Sequence, residues 1–150
     1  MVQEWQKMKE FGDWLIGHGI SCAESKGNIS HNDKIWERRV GLTLVHQAAE
    51  ILMKAYLVKR GDSIKRDNRT IQFLEAFDKI NFSEIERTKF EKFNKIRNEI
   101  YHHSFQVPWD KDAEIRDFLE EFKKLYDKGF VTSIHYDGPQ MKEKFRKIHK

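Results

Sequence analysis

The segment from about residue 32 to residue 59 constrains the fold of this chain more than any other. Its residues have helical spacing, and the second half, from Val40 to Val58, is apolar on nearly every side. The apolar residues of that half are Leu42, Leu44, Val45, Ala48, Ala49, Ile51, Leu52, Met53, Ala55, Tyr56 and Leu57. A helix that is apolar on most sides has to be surrounded by other protein. The segment therefore predicts a central helix around which the other elements pack.

Helical patterns also precede and follow this segment. Apolar residues at helical spacing predict a first helix over about residues 2–17, which Gly17 and Gly19 are expected to end. A short helix is expected after Asn68, and its apolar residues are Ile71, Phe73, Leu74 and Phe77.

Two further helices are predicted in the C-terminal half. Ser83 and Glu86 form the S-x-x-E capping pattern, which predicts a helix that runs to about His102. Asp110 can cap the last main helix, which Gly129 is expected to end in the left-handed conformation. The sequence thus predicts an all-α fold: a four-helix bundle with an extra N-terminal helix and a short basic C-terminal helix. Residues 1–150 are interpreted as a single domain.

Composition excludes several classes of protein. Charged residues make up 35% of the chain, and no apolar run approaches the roughly 20 residues that a membrane span needs. The first ten residues do not resemble a signal peptide, and the single cysteine, Cys22, allows no internal disulfide. We therefore expect a cytoplasmic protein with no membrane partner.

The net charge of +4 is concentrated in residues 140–150. Met141, Phe145 and Ile148 have helical spacing there, which predicts the short amphipathic helix. Its cations are Lys142, Lys144, Arg146, Lys147 and Lys150, opposed by Glu143 alone. This basic tail is either an RNA-binding segment or a solvated helix end.

The segment from Arg97 to Ser104 is the richest in reactive side chains. Arg97 follows apolar residues and is expected at the edge of the buried face, and His102 lies five residues further on. On an unbroken helix the two side chains diverge by about 140° and are about 7.5 Å apart along the axis. A long arginine stem, a fraying helix end or a second subunit is needed to bring them together.

An arginine and a histidine are the groups that RNA cleavage without a metal requires. The imidazole can take the proton of the 2′-hydroxyl or give one to the leaving 5′-oxygen. The guanidinium binds the phosphate and stabilises the added negative charge of the transition state. DNA lacks the 2′-hydroxyl and is inert to this route.

The pattern Arg97-Asn98-x-x-x-His102 resembles the R-polar-x-x-x-H signature of HEPN domains, the higher eukaryotes and prokaryotes nucleotide-binding domains. The segment from Leu44 to Leu57 also resembles their long central helix, and the resemblance covers about residues 35–128, with residues 129–150 as a C-terminal extension. It implies a homodimeric helical bundle with metal-independent endoribonuclease activity, often a toxin or phage-defence effector with an antitoxin partner. Arg97 and His102 would be catalytic, with Asn98 orienting the phosphate or the histidine.

The supporting residues of this hypothesis are Glu50, Asn98, Tyr101 and His103. His46, Glu50 and Lys54 lie four residues apart, so they either form a ladder of ion pairs or tune the Arg97 cleft. A metal site at these histidines lacks a clear third ligand, and we expect neither a metal nor a cofactor. Two alternatives stay open: a non-catalytic HEPN-like module that binds nucleotide, RNA or a partner protein, and an unrelated helical bundle.

Overall fold

The computed structural model describes residues 3–23, 31–103 and 111–130, without the side chains of residues 31–33 and 103. These residues form an all-α fold with one small antiparallel sheet, as the sequence predicts for the fold class. The helices are α1 (Glu4–Ala23), α2 (His31–Arg60), α3 (Phe73–Ile80), α4 (Arg87–His103) and α5 (Asp112–Gly129). The strands are β1 (Lys65–Arg66) and β2 (Arg69–Thr70). The arrangement as a four-helix bundle of the HEPN kind stays a prediction.

Helix α2 has the central position that its apolar pattern predicts. It contacts α1, α3, α4 and α5, and most of its second half is buried. The buried apolar residues of α2 are Leu42, Val45, Ala48, Ala49, Leu52, Met53, Ala55 and Leu57. Phenylalanines of the later helices complete the same core, namely Phe73, Phe77, Phe90, Phe93, Phe118 and Phe122. Burial of this apolar surface is the main force that holds the helices together.

The prediction that Gly17 and Gly19 end the first helix is wrong, because α1 continues to Ala23. Gly19 is needed for the contact between α1 and α2. A Cβ atom on Gly19 would lie 2.9 Å from the carbonyl oxygen of Gly41, and one on Gly41 would lie 2.5 Å from the carbonyl oxygen of Gly19. These two glycines let the helix backbones approach more closely than side chains allow.

A buried polar network joins α1 to α5. Lys9 is only 1% exposed, and its Nζ donates hydrogen bonds to Asp13 Oδ2 and to the hydroxyl of Tyr126, both at 2.7 Å. The Tyr126 hydroxyl donates in turn to Asp13 Oδ1 at 2.9 Å. Burial lowers the pKa of Lys9, although the hydrogen bond and the charge of Asp13 act in the opposite direction. The buried ammonium is tolerated because an anion and a hydroxyl surround it.

The small sheet is a hairpin that the sequence analysis did not predict. Strand β1 pairs with β2, and the two residues between them, Asp67 and Asn68, have φ of 52° and 68°. Asparagine and aspartate tolerate this left-handed conformation, which a two-residue hairpin turn requires. The hairpin leads from the end of α2 back to α3, so that Phe73 lies against the middle of α2.

Two predicted helix boundaries need correction. Helix α4 begins at Arg87, and Ser83 and Glu86 do not form the predicted capping box. In that box the backbone N–H of Glu86 would donate to Ser83, but it donates instead to Glu121 Oε2 of α5 at 3.0 Å. Gly129 is the last residue of α5, as predicted. Its φ is not positive, so it does not have the left-handed conformation. A Cβ atom on Gly129 would lie 2.9 Å from the ring of Tyr56, so this glycine also permits a close contact.

Several predictions lie outside the described residues. They include the cap at Asp110 and the basic C-terminal helix with Lys142, Lys144, Arg146 and Lys147. Within the described ranges, none of the helices has the length and apolar character that crossing a membrane requires.

Candidate functional site

A cavity of about 210 Å³ opens between α2 and α4. It is lined by Thr43, His46, Gln47, Glu50, Arg97 and Tyr101. The α2 residues repeat at intervals of three and four, and Arg97 and Tyr101 are four residues apart, so each helix presents one face to the cavity. The two segments that the sequence analysis selected, around Glu50 and around Arg97, therefore meet at one site.

Arg97 is half-buried in the wall of this cavity, at the edge of the buried face of α4. Its Nε is buried and has no hydrogen-bond partner among the described residues. Its guanidinium carbon lies 5.9 Å from the centre of the Tyr101 ring. A buried donor without a partner costs about 1–3 kcal/mol, and the Arg97 guanidinium, which lines the cavity, has four further N–H donors besides Nε. Arg97 is therefore suited to hold an anionic or carbonyl group.

His102 does not line the cavity. It is exposed, and its ring lies 5.3 Å from that of Tyr101 in an edge-on arrangement. Helix α4 is unbroken through His103, so no fraying at this point turns His102 toward Arg97. Within one chain, the arginine and the histidine of the R-x4-H pattern therefore face different surroundings.

Glu50 lines the cavity and pairs with Lys54. Lys54 Nζ donates to Glu50 Oε2 at 2.8 Å, and both side chains are mostly shielded from solvent. This ion pair is one of those expected among His46, Glu50 and Lys54. Glu50 also lines the cavity beside Arg97. A buried glutamate needs a cation nearby, and Lys54 provides it.

His46 departs from the ladder because it faces α4 rather than Glu50. Its Nε2 lies 2.8 Å from Asn94 Oδ1, and its ring stacks on Phe73 at 4.0 Å between centres. Burial lowers the pKa of His46 to about 3; the hydrogen bond to Asn94 opposes this shift, and the charge of Arg97 adds to it. The imidazole is therefore neutral at pH 7, and Nε2 carries the proton because the amide oxygen is an acceptor. His46 holds α2 and α4 in register beside the site.

The other predicted site residues are more scattered. Asn98 is half-buried and does not line the cavity, whereas Tyr101 is 70% exposed at its edge. The side chain of His103 and the cations of the tail lie outside the described residues. In the part of the chain that the structure describes, no group of three His, Cys, Asp or Glu residues is close enough to hold a metal ion.

The sequence analysis missed Thr43 and Gln47. Both lie on one stripe of α2 that begins at Trp36 and Val40 and ends at Glu50. Trp36 and Val40 are 58% and 52% exposed, which is unusual for large apolar residues next to a polar cavity. The sequence could have shown this stripe, because its positions follow one another at the helical intervals of four and three residues.

Comparison of the chain with protein-family models, with curated proteins and with solved structures finds no match.

Proposed function

We propose that this protein is a metal-independent endoribonuclease of the HEPN kind, with Arg97 and His102 as its catalytic residues. The observation that carries the proposal is that Arg97 lines a cavity and that its buried Nε has no hydrogen-bond partner among the described residues. An exposed histidine, His102, lies on the same helix. A guanidinium binds a phosphate through its planar fork of N–H donors, and the Arg97 guanidinium lines the cavity.

The reaction needs one base and one acid. One imidazole takes the proton of the 2′-hydroxyl, and O2′ attacks the adjacent phosphorus. Arg97 stabilises the extra negative charge on the phosphoryl oxygens. The bond from phosphorus to O5′ then breaks, the protonated imidazole gives its proton to O5′, and the products are a 2′,3′-cyclic phosphate and a 5′-hydroxyl. The neutral, deeply buried His46 is not suited to this exchange, whereas the exposed His102 is.

The active unit in this proposal is a homodimer. Because His102 does not line the Arg97 cavity of its own chain, a second copy supplies the histidine in this proposal. Trp36 and Val40 form an exposed apolar patch on the α2 stripe that leads to the cavity, and burying such a patch favours association. A two-fold axis near this patch would place Arg97 of each copy beside His102 of the other.

The proposal predicts cleavage of RNA in the presence of EDTA. Purified protein is incubated with a mixed RNA pool, and the product ends are analysed by mass spectrometry. We expect 2′,3′-cyclic phosphate ends, and a loss of about 10²-fold or more in rate for Arg97→Ala and for His102→Ala.

Matched controls are His18→Ala and Arg69→Ala, which replace exposed residues outside the cavity. Both should cleave like the wild type, and all four variants should keep the helical far-UV signal. Unchanged activity in Arg97→Ala or His102→Ala would contradict the assignment of the site.

One observation favours a second candidate, a non-catalytic module that binds nucleotide or RNA. In a single chain the cavity holds Arg97 without His102, which is enough for binding but not for proton transfer. RNA binding that depends on Arg97, without cleavage of any RNA in the pool, would support this candidate.

A further inference from the structure

The cavity beside Arg97 has the size and the polar groups of a binding site for one planar ring system. Its volume of about 210 Å³ is below the roughly 300 Å³ at which pockets for drug-sized ligands begin. Tyr101 lies at its edge with most of its ring exposed, as a side chain that stacks on a base has to be. The cavity is therefore too small for a large cofactor and suited to a single nucleobase.

The polar groups of the cavity select the kind of base. Glu50 offers only acceptors. Lys54 occupies one acceptor position of Oε2, so Oε1 and the second position of Oε2 are left for a ligand. The Thr43 hydroxyl donates its proton to the carbonyl oxygen of Arg39 at 2.9 Å. Toward a ligand this hydroxyl can therefore act only as an acceptor. The part of the wall formed by Glu50 and Thr43 therefore favours a ligand group that presents hydrogen-bond donors, and the phosphate is favoured only beside Arg97.

Among the four RNA bases, guanine alone presents two adjacent donors on its Watson–Crick edge, N1–H and the N2 amine. Adenine and cytosine place a ring acceptor next to their amine, and uracil places carbonyl oxygens on both sides of its N3–H. These acceptors would repel the carboxylate of Glu50. The Gln47 amide, which is exposed on the same wall, can donate to the O6 oxygen of guanine.

We propose that the cavity between α2 and α4 is a guanine-binding pocket in which Glu50 accepts from N1–H and N2–H and Tyr101 stacks on the base. The inference rests on the proposed ribonuclease function, for which it names the substrate: RNA with guanine next to the phosphate held by Arg97. Glu50 is then the residue that determines specificity.

The test measures binding of 3′-mononucleotides by isothermal titration calorimetry, because these ligands have no bond left to cleave. The wild type should bind 3′-GMP at least about tenfold more tightly than 3′-AMP, 3′-CMP or 3′-UMP. 3′-IMP, which differs from 3′-GMP in lacking the N2 amine, should bind several-fold more weakly than 3′-GMP. This comparison uses only the wild-type protein, so it does not depend on a variant that folds.

The variant Glu50→Gln keeps the shape of the side chain and removes the paired acceptors. It should reduce the preference for 3′-GMP over 3′-AMP to about twofold or less, with 3′-AMP affinity unchanged. The matched control is Glu91→Gln, which removes an exposed carboxylate of α4 that pairs with Arg87 outside the cavity. It should keep the wild-type preference.

The outcome separates the two proposals. Equal affinity of the wild type for the four nucleotides, or a full preference in Glu50→Gln, would overturn the guanine pocket even if the protein cleaves RNA. A preference for 3′-GMP that depends on Glu50 would support the pocket even if no RNA is cleaved, and the endoribonuclease proposal would then fail by itself.

Discussion

His46 and Glu50 lie one helical turn apart on α2, yet their environments give them opposite properties. His46 is almost fully buried against Phe73 and Asn94, which keeps it neutral, whereas Glu50 is half-buried and accepts a hydrogen bond from Lys54. The sequence shows both residues on the same face, but their roles depend on α3 and α4, which the spacing on α2 does not reveal. The position of Glu50 beside Arg97 was among the interpretations that the sequence allowed; the pairing of His46 with Asn94 was not.

The lowered pKa of His46 predicts that acid destabilises the protein before its carboxylates are titrated. An unfolded histidine takes up a proton below about pH 6.5, whereas folded His46 does so only near pH 3. Between these values the unfolded state binds more protons, so the free energy of unfolding falls as the pH falls. We expect a loss of about 2 kcal/mol between pH 7 and pH 5, measured by denaturant unfolding.

Two variants isolate the contribution of His46. His46→Gln should have a smaller change in unfolding free energy between pH 7 and pH 5, whatever its stability at pH 7. His18→Gln, at an exposed histidine of α1, should retain the wild-type change. A pH dependence in His46→Gln equal to that of the wild type would show that His46 is not the responsible group.

The Lys9–Asp13–Tyr126 network shows what a residue-by-residue interpretation of the sequence missed. Lys9 and Asp13 are four apart and lie among Met8, Gly12 and Ile16, on the apolar side of the first helix. Charged residues at such positions are usually solvent-facing, because burying them costs free energy unless they are paired. Only the position of Tyr126 on α5, which the sequence does not give, shows that the partners are present.

At the scale of elements, the glycines were the main source of error. A glycine can end a helix, or it can let two helices approach closely. The sequence alone does not show which of these two roles a given glycine has. Gly19 and Gly41 are 22 positions apart in the sequence and become neighbours only when α1 packs along α2. Hydrophobic periodicity, by contrast, predicted the bounds of α2 to within one residue because burial of its apolar sides determines that helix.

The contact between α1 and α2 predicts that Gly41→Ala is destabilising. In an open helix this substitution is stabilising by about 0.8–1.0 kcal/mol, because alanine has the higher helix propensity. Here the added Cβ would overlap backbone atoms of α1, and we expect a net loss of about 1–3 kcal/mol in denaturant unfolding.

A matched control for this prediction is Ser21→Ala, at an exposed position of α1. Its effect should stay within about 0.5 kcal/mol. Stabilisation by Gly41→Ala would mean that the two helices are not in close contact at Gly19.

At the scale of the whole molecule, the sequence predicts the all-α class and the central helix, because both depend on apolar patterning within the chain. It does not predict the hairpin of Asp67 and Asn68, whose two-residue strands carry no alternating pattern. For Arg97 and His102, the sequence predicts that the side chains diverge on an unbroken helix, but it does not show that α4 is unbroken as far as His103. In a single chain Arg97 lines the cavity and His102 does not, and for this reason the proposal requires a second copy.

The central claim, a site shared between two copies, is tested most directly by mixing two inactive variants. Arg97→Ala and His102→Ala are unfolded together, refolded as an equal mixture and assayed for RNA cleavage in EDTA. A mixed dimer has one complete site, formed by Arg97 of one chain and His102 of the other, so the mixture should recover about a quarter of wild-type activity per chain. Arg97→Ala mixed with the double variant Arg97→Ala/His102→Ala is the control and should stay inactive. Absence of recovery in the first mixture, with an active wild type, would contradict the shared site.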